Sequence, residues 1–411
     1  MDRDYFVNKW AKIALHFLIF SALAGWVMRY YNFSPISGIN YKFLLHTHSH
    51  VALLGWMHLA LAVAMVREFL PKEGIKFNKI LLFTLLTVIG MMLSFPFQGY
   101  ALVSITFSTL FLFASYWFVI VFYRILMASG DKSVAAKWVQ WALFYLAISS
   151  LGPWALGPIM VFGESHSTLY NLSIYYYLHF LYNGFFVVAV FGVLQKWLDN
   201  NGVNVKNENR LRFFQLTVYP IIPAYALSTL WINPPAWVYI LAGLAGILQL
   251  IGLFYGWPIL TTYLKSINYK FFQFLFSLVV VAYSLKLVLQ VFSAIPLIAD
   301  YVYETRVFTA IGYIHLVMLG FLTLFMLTYF IRIKVFRDNG FVRAGLIVFL
   351  GGLMVSEVIL FFNGIMITRT GTIIANYAQL MHLGSMLMPI GLIIFWIVQL
   401  RRNPEGKTLP L

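Results

Sequence analysis

His50-Val51-Ala52-Leu53-Leu54-Gly55-Trp56 sets a histidine five residues before a glycine and a bulky aromatic. The pattern returns at His179-Phe180-Leu181-Tyr182-Asn183-Gly184-Phe185 and at His315-Leu316-Val317-Met318-Leu319-Gly320-Phe321. The three histidines are 129 and 136 residues apart, so the 411 residues read as three units of similar length, roughly 1–130, 131–265 and 266–411. Composition alone would produce roughly 0.08 such patterns by chance, few enough for the repeat to carry an argument.

The residues around the motif are apolar almost without interruption. The chain is 62% hydrophobic and 10% charged, with a mean hydropathy of +0.84. Apolar runs of about 20 residues, the length that spans a bilayer, fall near 11–30, 43–66, 79–99, 101–125, 137–162, 169–195, 212–232, 236–263, 271–298, 307–332, 341–364 and 373–399. Lipid offers the backbone no hydrogen-bond partners, so these runs must be helices. The expected fold is an all-α polytopic membrane protein, a single transmembrane domain over residues 1–411 with twelve helices in three groups of four. The tight joint from Pro96 to Ala101 leaves eleven open. The charged start Met1-Asp2-Arg3-Asp4 lacks a small-residue cleavage site, and the first run reads as a retained span. The chain has no cysteine, which excludes disulfides, thiolate-ligated haem and iron–sulfur clusters.

The net charge of +15 would suggest nucleic acid in a soluble protein, but here it sorts by side. With the N-terminus inside, 23 of the 28 basic residues fall in inner connections or at the termini. Arg29, Lys42, Arg306 and Arg369 fall outside, and Lys286 lies within a span. That bias puts both termini in the cytoplasm by the positive-inside rule, in a bacterial-type inner membrane. No nucleic acid is implied.

In this topology His50, His179 and His315 lie on spans 2, 6 and 10, the second of each group, and His382 lies on span 12. Each sits about 7 to 11 residues past its helix start, or ~10 to 16 Å deep, so the four share a layer in the outer half of the membrane. Imidazole there is costly unless it is paired or coordinated. A lone intramembrane histidine is usually a hydrogen-bonded helix contact, and His16 and His58, without repeat partners, are read that way. His166, after Glu164 in an outer loop, is read as solvated.

Leu45-His46-Thr47-His48-Ser49-His50 is the densest histidine segment. On a helix His46 and His50 share a face while His48 points away, so the three cannot ligate one metal together. One or two of them, with His315, suit haem, whose iron takes neutral imidazoles from opposite sides and whose ring replaces apolar packing. The glycine after each histidine admits a neighbouring helix or a macrocycle. As metal ligands, His50, His179, His315 and His382 are the candidates. Arg306 and Arg369, near the outer ends of histidine-bearing helices, are candidates to grip haem propionates. Glu357 and Lys286, near mid-membrane, are expected either to pair or to line a polar path. Met381, Met386 and Met388 around His382 read as packing, with soft Cu(I) binding as the alternative.

At these residues the chain resembles the haem–copper oxidase subunit I superfamily, which includes nitric oxide reductases. The resemblance implies twelve helices in three four-helix arcs with pseudo-threefold symmetry, and histidine ligands on helices 2, 6 and 10. Leu45-His46-Thr47 is similar to the start of helix 2 in some members. His48-Ser49-His50 with Leu54-Gly55-Trp56 resembles an element of the NnrS family of nitric-oxide-response membrane proteins, reported to contain haem and copper. The departures are specific. His179 precedes Phe180-Leu181-Tyr182-Asn183 rather than Pro-Glu-Val-Tyr, Gln195 to Trp231 contains no histidine pair, and His315 is flanked two residues away by Tyr313 and Val317 rather than by a second histidine.

The expected function is therefore an integral membrane haem protein, with copper as an open second metal, that binds or reacts with a diatomic gas. Nitric oxide stands ahead of dioxygen, in a respiratory or nitric-oxide-response setting, and dioxygen reduction is expected to be slow or absent. Catalytic residues and turnover stay unassigned, as does the electron donor. A secondary transporter, which would show broken helices around a polar cavity, and a non-catalytic assembly subunit are the alternatives.

Overall fold

Because a helix satisfies its own backbone, apolar runs of this length form helices from end to end. The computed structural model describes residues 3–162 and 167–400, and no strand occurs among them. His166 and Glu164 lie outside the described residues. Twelve helices are long and apolar enough to cross a membrane: α1 Arg3–Phe33, α2 Tyr41–Phe69, α3 Gly74–Gln98, α4 Leu102–Ala128, α5 Val134–Val161, α6 Thr168–Asn200, α7 Asn207–Ile232, α8 Ala236–Lys265, α9 Lys270–Ser293, α10 Arg306–Arg332, α11 Gly340–Thr370 and α12 Tyr377–Leu400. A short helix, Pro296–Glu304, joins α9 to α10. The protein is an all-helical, multi-pass membrane protein.

The joint that left eleven spans open is a true break. Gly99, at φ +59°, ends α3 in a conformation that side chains rarely adopt, and a Cβ there would lie 2.3 Å from the Phe43 ring. Ser104 then receives the Ala101 amide (2.9 Å) and starts α4.

The three motif-bearing helices form the centre. Their apolar windows are 78%, 83% and 78% buried for α2, α6 and α10, against 33–50% for the other nine, so the outer helices shield the central three from lipid. At each motif the central helix widens into π-helical turns, over Val51–Met57, His179–Phe186 and Leu316–Thr323. Such turns shift the register of side chains beyond them and are common at functional sites.

The motif glycine seats each central helix on the spanning helix that precedes it. A Cβ on Gly55 would meet Phe17 of α1 at 2.8 Å and one on Gly184 would meet Tyr145 of α5 at 2.7 Å, while one on Gly320 would touch Ala282 of α9 at an ordinary 3.5 Å. The neighbour is a helix in every case. The following aromatics tie the centre together. Trp56 Nε1 donates to Thr323 Oγ1 of α10 (2.8 Å), Phe185 of α6 packs on His58 of α2 (5.6 Å between ring centres), and Phe321 of α10 packs on Phe191 of α6 (5.7 Å).

At the end of the bundle where α2, α6 and α10 finish, one carboxylate joins all three. Glu68 of α2 is 2% exposed. It accepts from Tyr329 Oη of α10 (2.6 Å) and Asn200 Nδ2 of α6 (2.8 Å), and it pairs with Arg67. A buried carboxylate is tolerable only with this many donors.

Candidate functional site

The central helices change character at the histidine layer. Before it, only Thr47 is buried in Tyr41–His50, only Ser173 in Thr168–Leu178 and only Phe308 in Arg306–His315. Beyond it every residue is buried over 54–66, 183–195 and 320–331. Before the layer the central helices are thus no longer fully enclosed, and His48, His50, Tyr182, Tyr313 and His315 keep accessible surface there.

Asn40 starts the histidine segment by accepting the Lys42 and Phe43 amides, and helical rotation then sends the histidines of α2 to two faces. His48 turns to α1. Its Nδ1–H donates to Ser21 O (2.8 Å), and its ring lies against Gly25, where a Cβ would be 3.0 Å from Cε1. His315, on α10, places Nδ1 3.5 Å from Glu357 Oε1 of α11. Both atoms are buried and neither has a hydrogen-bond partner. Gly312, one turn earlier, makes room for that carboxylate, since a Cβ there would come within 3.0 Å of Glu357 Oε2. No hydrogen bond to Nε2 of His48 or His315 occurs among the described residues. The His315 ring and Arg29 of α1 each lie within electrostatic reach of His48. Arg29 is also close enough for its charge to be felt at Tyr377.

His46 and His50 face the other way. His50 Nδ1–H donates to His46 O (2.8 Å), and the Tyr100 hydroxyl donates to His50 Nε2 (3.2 Å). Both rings lie on Phe95 and Tyr100, with His46 4.6 Å from the Tyr100 ring and His50 4.5 Å from the Phe95 ring.

His179 is in a different environment. It is 2% exposed, with Nε2–H donating to Ile221 O (2.8 Å) and Nδ1 facing Asn183 Nδ2 (3.5 Å). The carbonyl is free because α7 breaks at Tyr219-Pro220 and continues as the short helix Ile221–Ala224 and the 3₁₀ turns Tyr225–Ile232. Tyr145 Oη caps the adjoining Val218 O (2.7 Å) and Gln249 Nε2 caps Thr217 O (3.2 Å). Three carbonyls at the break, those of Thr217, Val218 and Ile221, are thus each met by a side chain of a neighbouring helix.

His382 is stacked on Trp26 of α1 at 5.5 Å and 20°, with Tyr30 edge-on at 5.2 Å. Its Nδ1 is buried without a partner. Met381 turns away into an apolar cluster with Phe308 and Leu360, and Met388 packs on Gly352 of α11. Arg306 is exposed and bound to its own helix entry, donating to Tyr303 O (2.9 Å) and lying 4.6 Å over that ring. Arg369 is exposed in the last turn of α11. The expected Lys286–Glu357 pair does not form, because Lys286 donates to Gln290 Oε1 (2.5 Å) on its own helix while Glu357 faces His315. His16 is bound to Lys12 O and Trp396, and His58 is buried among Phe111, Phe118 and Phe185.

No group of three His, Cys, Asp or Glu side chains able to hold a metal occurs among the described residues. The four layer histidines therefore do not converge on one ion. The pair within electrostatic reach is His48 with His315, with Ser21, Gly25 and Arg29 around the first and Glu357 beside the second. Ser21 and Gly25 were not singled out in the sequence and Arg29 only as one of the four outside cations, though their spacing of four residues puts them on one face of α1. No protein-family model matches the chain, and no curated protein sequence matches it.

Proposed function

We propose that the protein is an integral membrane haem protein that binds a diatomic gas, nitric oxide ahead of dioxygen, and that His48 and His315 are its imidazole ligands. One observation carries the reading. At the depth where the central helices stop packing tightly, His48 of α2 has Nδ1 bonded to Ser21 O, His315 of α10 has Nδ1 3.5 Å from the unpartnered Glu357 Oε1, and Nε2 of each is left free. That is the arrangement of a ligating imidazole, whose second nitrogen is held by a carbonyl or carboxylate that sets its tautomer and orientation.

The residues also fit the rest of the group. Gly25 gives clearance beside His48, and the partly exposed faces of the central helices before the layer are the surface that a large apolar ring would cover. Arg29, half-buried beside His48, is the cation best situated for a propionate, ahead of Arg306 and Arg369. Bound haem would supply an iron able to take up nitric oxide or dioxygen once one of the two imidazoles gives way to the gas. The chain's own part is to fix the imidazole tautomers, exclude lipid and balance the propionate charge.

The remaining architecture follows the same reading: three four-helix arcs with pseudo-threefold symmetry, both termini cytoplasmic, in a bacterial-type inner membrane. Dioxygen reduction is slow or absent, because a second metal normally needs three imidazoles and His179 has both nitrogens engaged. Copper, where present, is a separate site.

Purification from haem-replete cells and an optical spectrum test the proposal. A Soret band, lost or shifted in His48→Ala and His315→Ala, is expected. A colourless preparation that takes up no haem on reconstitution refutes it. A transporter is the second reading, favoured by the break in α7 and by Lys286 buried nearby. The capped carbonyls at that break oppose it, since a substrate or ion site needs them free.

A further inference from the structure

The segment from His46 to His50 divides its histidines between two destinations. His48 points into the bundle toward α1 and α10, whereas His46 and His50, one helical turn apart, lie over Phe95 and Tyr100. Two histidines at i and i+4 on one helix face form a bidentate metal chelate. The pair has the support such a chelate needs. His50 Nδ1 is held on the His46 carbonyl at 2.8 Å, which fixes Nε2 as the nitrogen with the free lone pair. That lone pair meets only the Tyr100 hydroxyl, at a long 3.2 Å, a partner a metal can displace. His46 makes no side-chain hydrogen bond among the described residues, and Phe95 beneath both rings is fully buried.

We infer that His46 and His50 hold one copper ion, as Cu(I), on the outer side of the protein, with Tyr100 as its outer-shell partner. The ion follows from the donors. Both ligands are neutral imidazoles, and no carboxylate or thiolate joins them among the described residues. Lys42, one turn earlier, is close enough for its charge to be felt at His46. A divalent zinc ion would keep its full charge beside that lysine and still lack two of its four ligands. Cu(I) carries one charge and is satisfied by two imidazoles. The site does not depend on the His48–His315 pair, since the two sets face opposite sides of α2.

The full-length protein in detergent, under anaerobic conditions, is titrated with Cu(I) against a chromophoric Cu(I) chelator, and copper per chain is read after desalting. About one equivalent is expected in the wild type. Loss of an outer-shell partner typically weakens a metal site roughly 10- to 100-fold. Tyr100→Phe should fall in that range, while His46→Ala and His50→Ala should each exceed it. His315→Ala should retain copper whether or not it retains haem, which separates this inference from the haem reading. Helicity and size-exclusion profiles accompany each variant, and Tyr100→Phe, which keeps the aromatic floor, decides the matter should a histidine variant fail to fold. No retained Cu(I) in the wild type, retention unchanged by both histidine substitutions, or Zn(II) held in preference to Cu(I) would each overturn the assignment.

Discussion

Gly25 is the position at which the proposed His48 ligand is most open to a graded test. Alanine there puts a Cβ 3.0 Å from His48 Cε1 and 3.3 Å from Nδ1. The ring must then give by a few tenths of an ångström, stretching the 2.8 Å bond to Ser21 O at a cost of up to about 1 kcal/mol. Valine adds two methyl groups where no room exists. It forfeits that hydrogen bond, about 0.5–1.5 kcal/mol, and overpacks the contact at about 1–3 kcal/mol. Together these come to about 1.5–4.5 kcal/mol against the ligating orientation, or roughly 10- to 1,500-fold weaker haem retention. The assay is transfer of haem from the purified protein to an excess of a haem-binding acceptor, followed by the Soret band, for wild type, Gly25→Ala and Gly25→Val. Retention should fall in that order with overall helicity preserved. A Gly25→Val protein that keeps the wild-type spectrum and holds haem within threefold of wild type would refute the placement of His48 at the ligand.

Three further outcomes follow from the same geometry. His179→Ala exposes the Ile221 carbonyl in the membrane interior and should cost about 1–3 kcal/mol, read as a lower unfolding temperature with haem and copper content unchanged; loss of metal instead would make His179 a ligand. Glu68→Ala strips Tyr329, Asn200 and Arg67 of their shared acceptor and should destabilise by about 3–5 kcal/mol, measured by unfolding in mixed micelles; a change below about 1 kcal/mol would show that the three central helices do not rely on it. Asp131 lies in the connection between α4 and α5. Burial raises its pKa, but the Lys196 ammonium at 2.6 Å and the Ser133 amide at 2.9 Å outweigh that and hold it below the usual carboxylate value. Its contribution is therefore present above an unfolded pKa of about 3.9 and lost as pH falls through the lower folded one; Asp131→Asn should remove that acid limb, and an unchanged pH–stability profile would contradict it.

Length and hydropathy determined the helices on their own, because a run of 20 apolar residues has only one way to satisfy its backbone in lipid. The repeat of histidine, glycine and aromatic likewise marked α2, α6 and α10 as special. Glycine at a fixed place admits a neighbouring helix whatever the rest of the fold, and those three helices prove to be the innermost. Pro220 and Pro223 carried a readable warning of the break in α7, since neither can donate to a helix ladder.

The identity of the functional histidines was not written locally. His50, His179 and His315 occupy matching places in the repeat, yet their ring nitrogens meet different partners: Tyr100 from the α3–α4 joint, a carbonyl freed by prolines in α7, and Glu357 of α11. His48, outside the repeat register, has its Nδ1 anchored on another helix, at Ser21 O of α1, and no hydrogen bond to Nε2 among the described residues. An imidazole's role depends on what each nitrogen touches, and those atoms come from helices tens to hundreds of residues away. Sequence spacing settles which side chains share a face, and only the packing of one helix against another decides what that face meets.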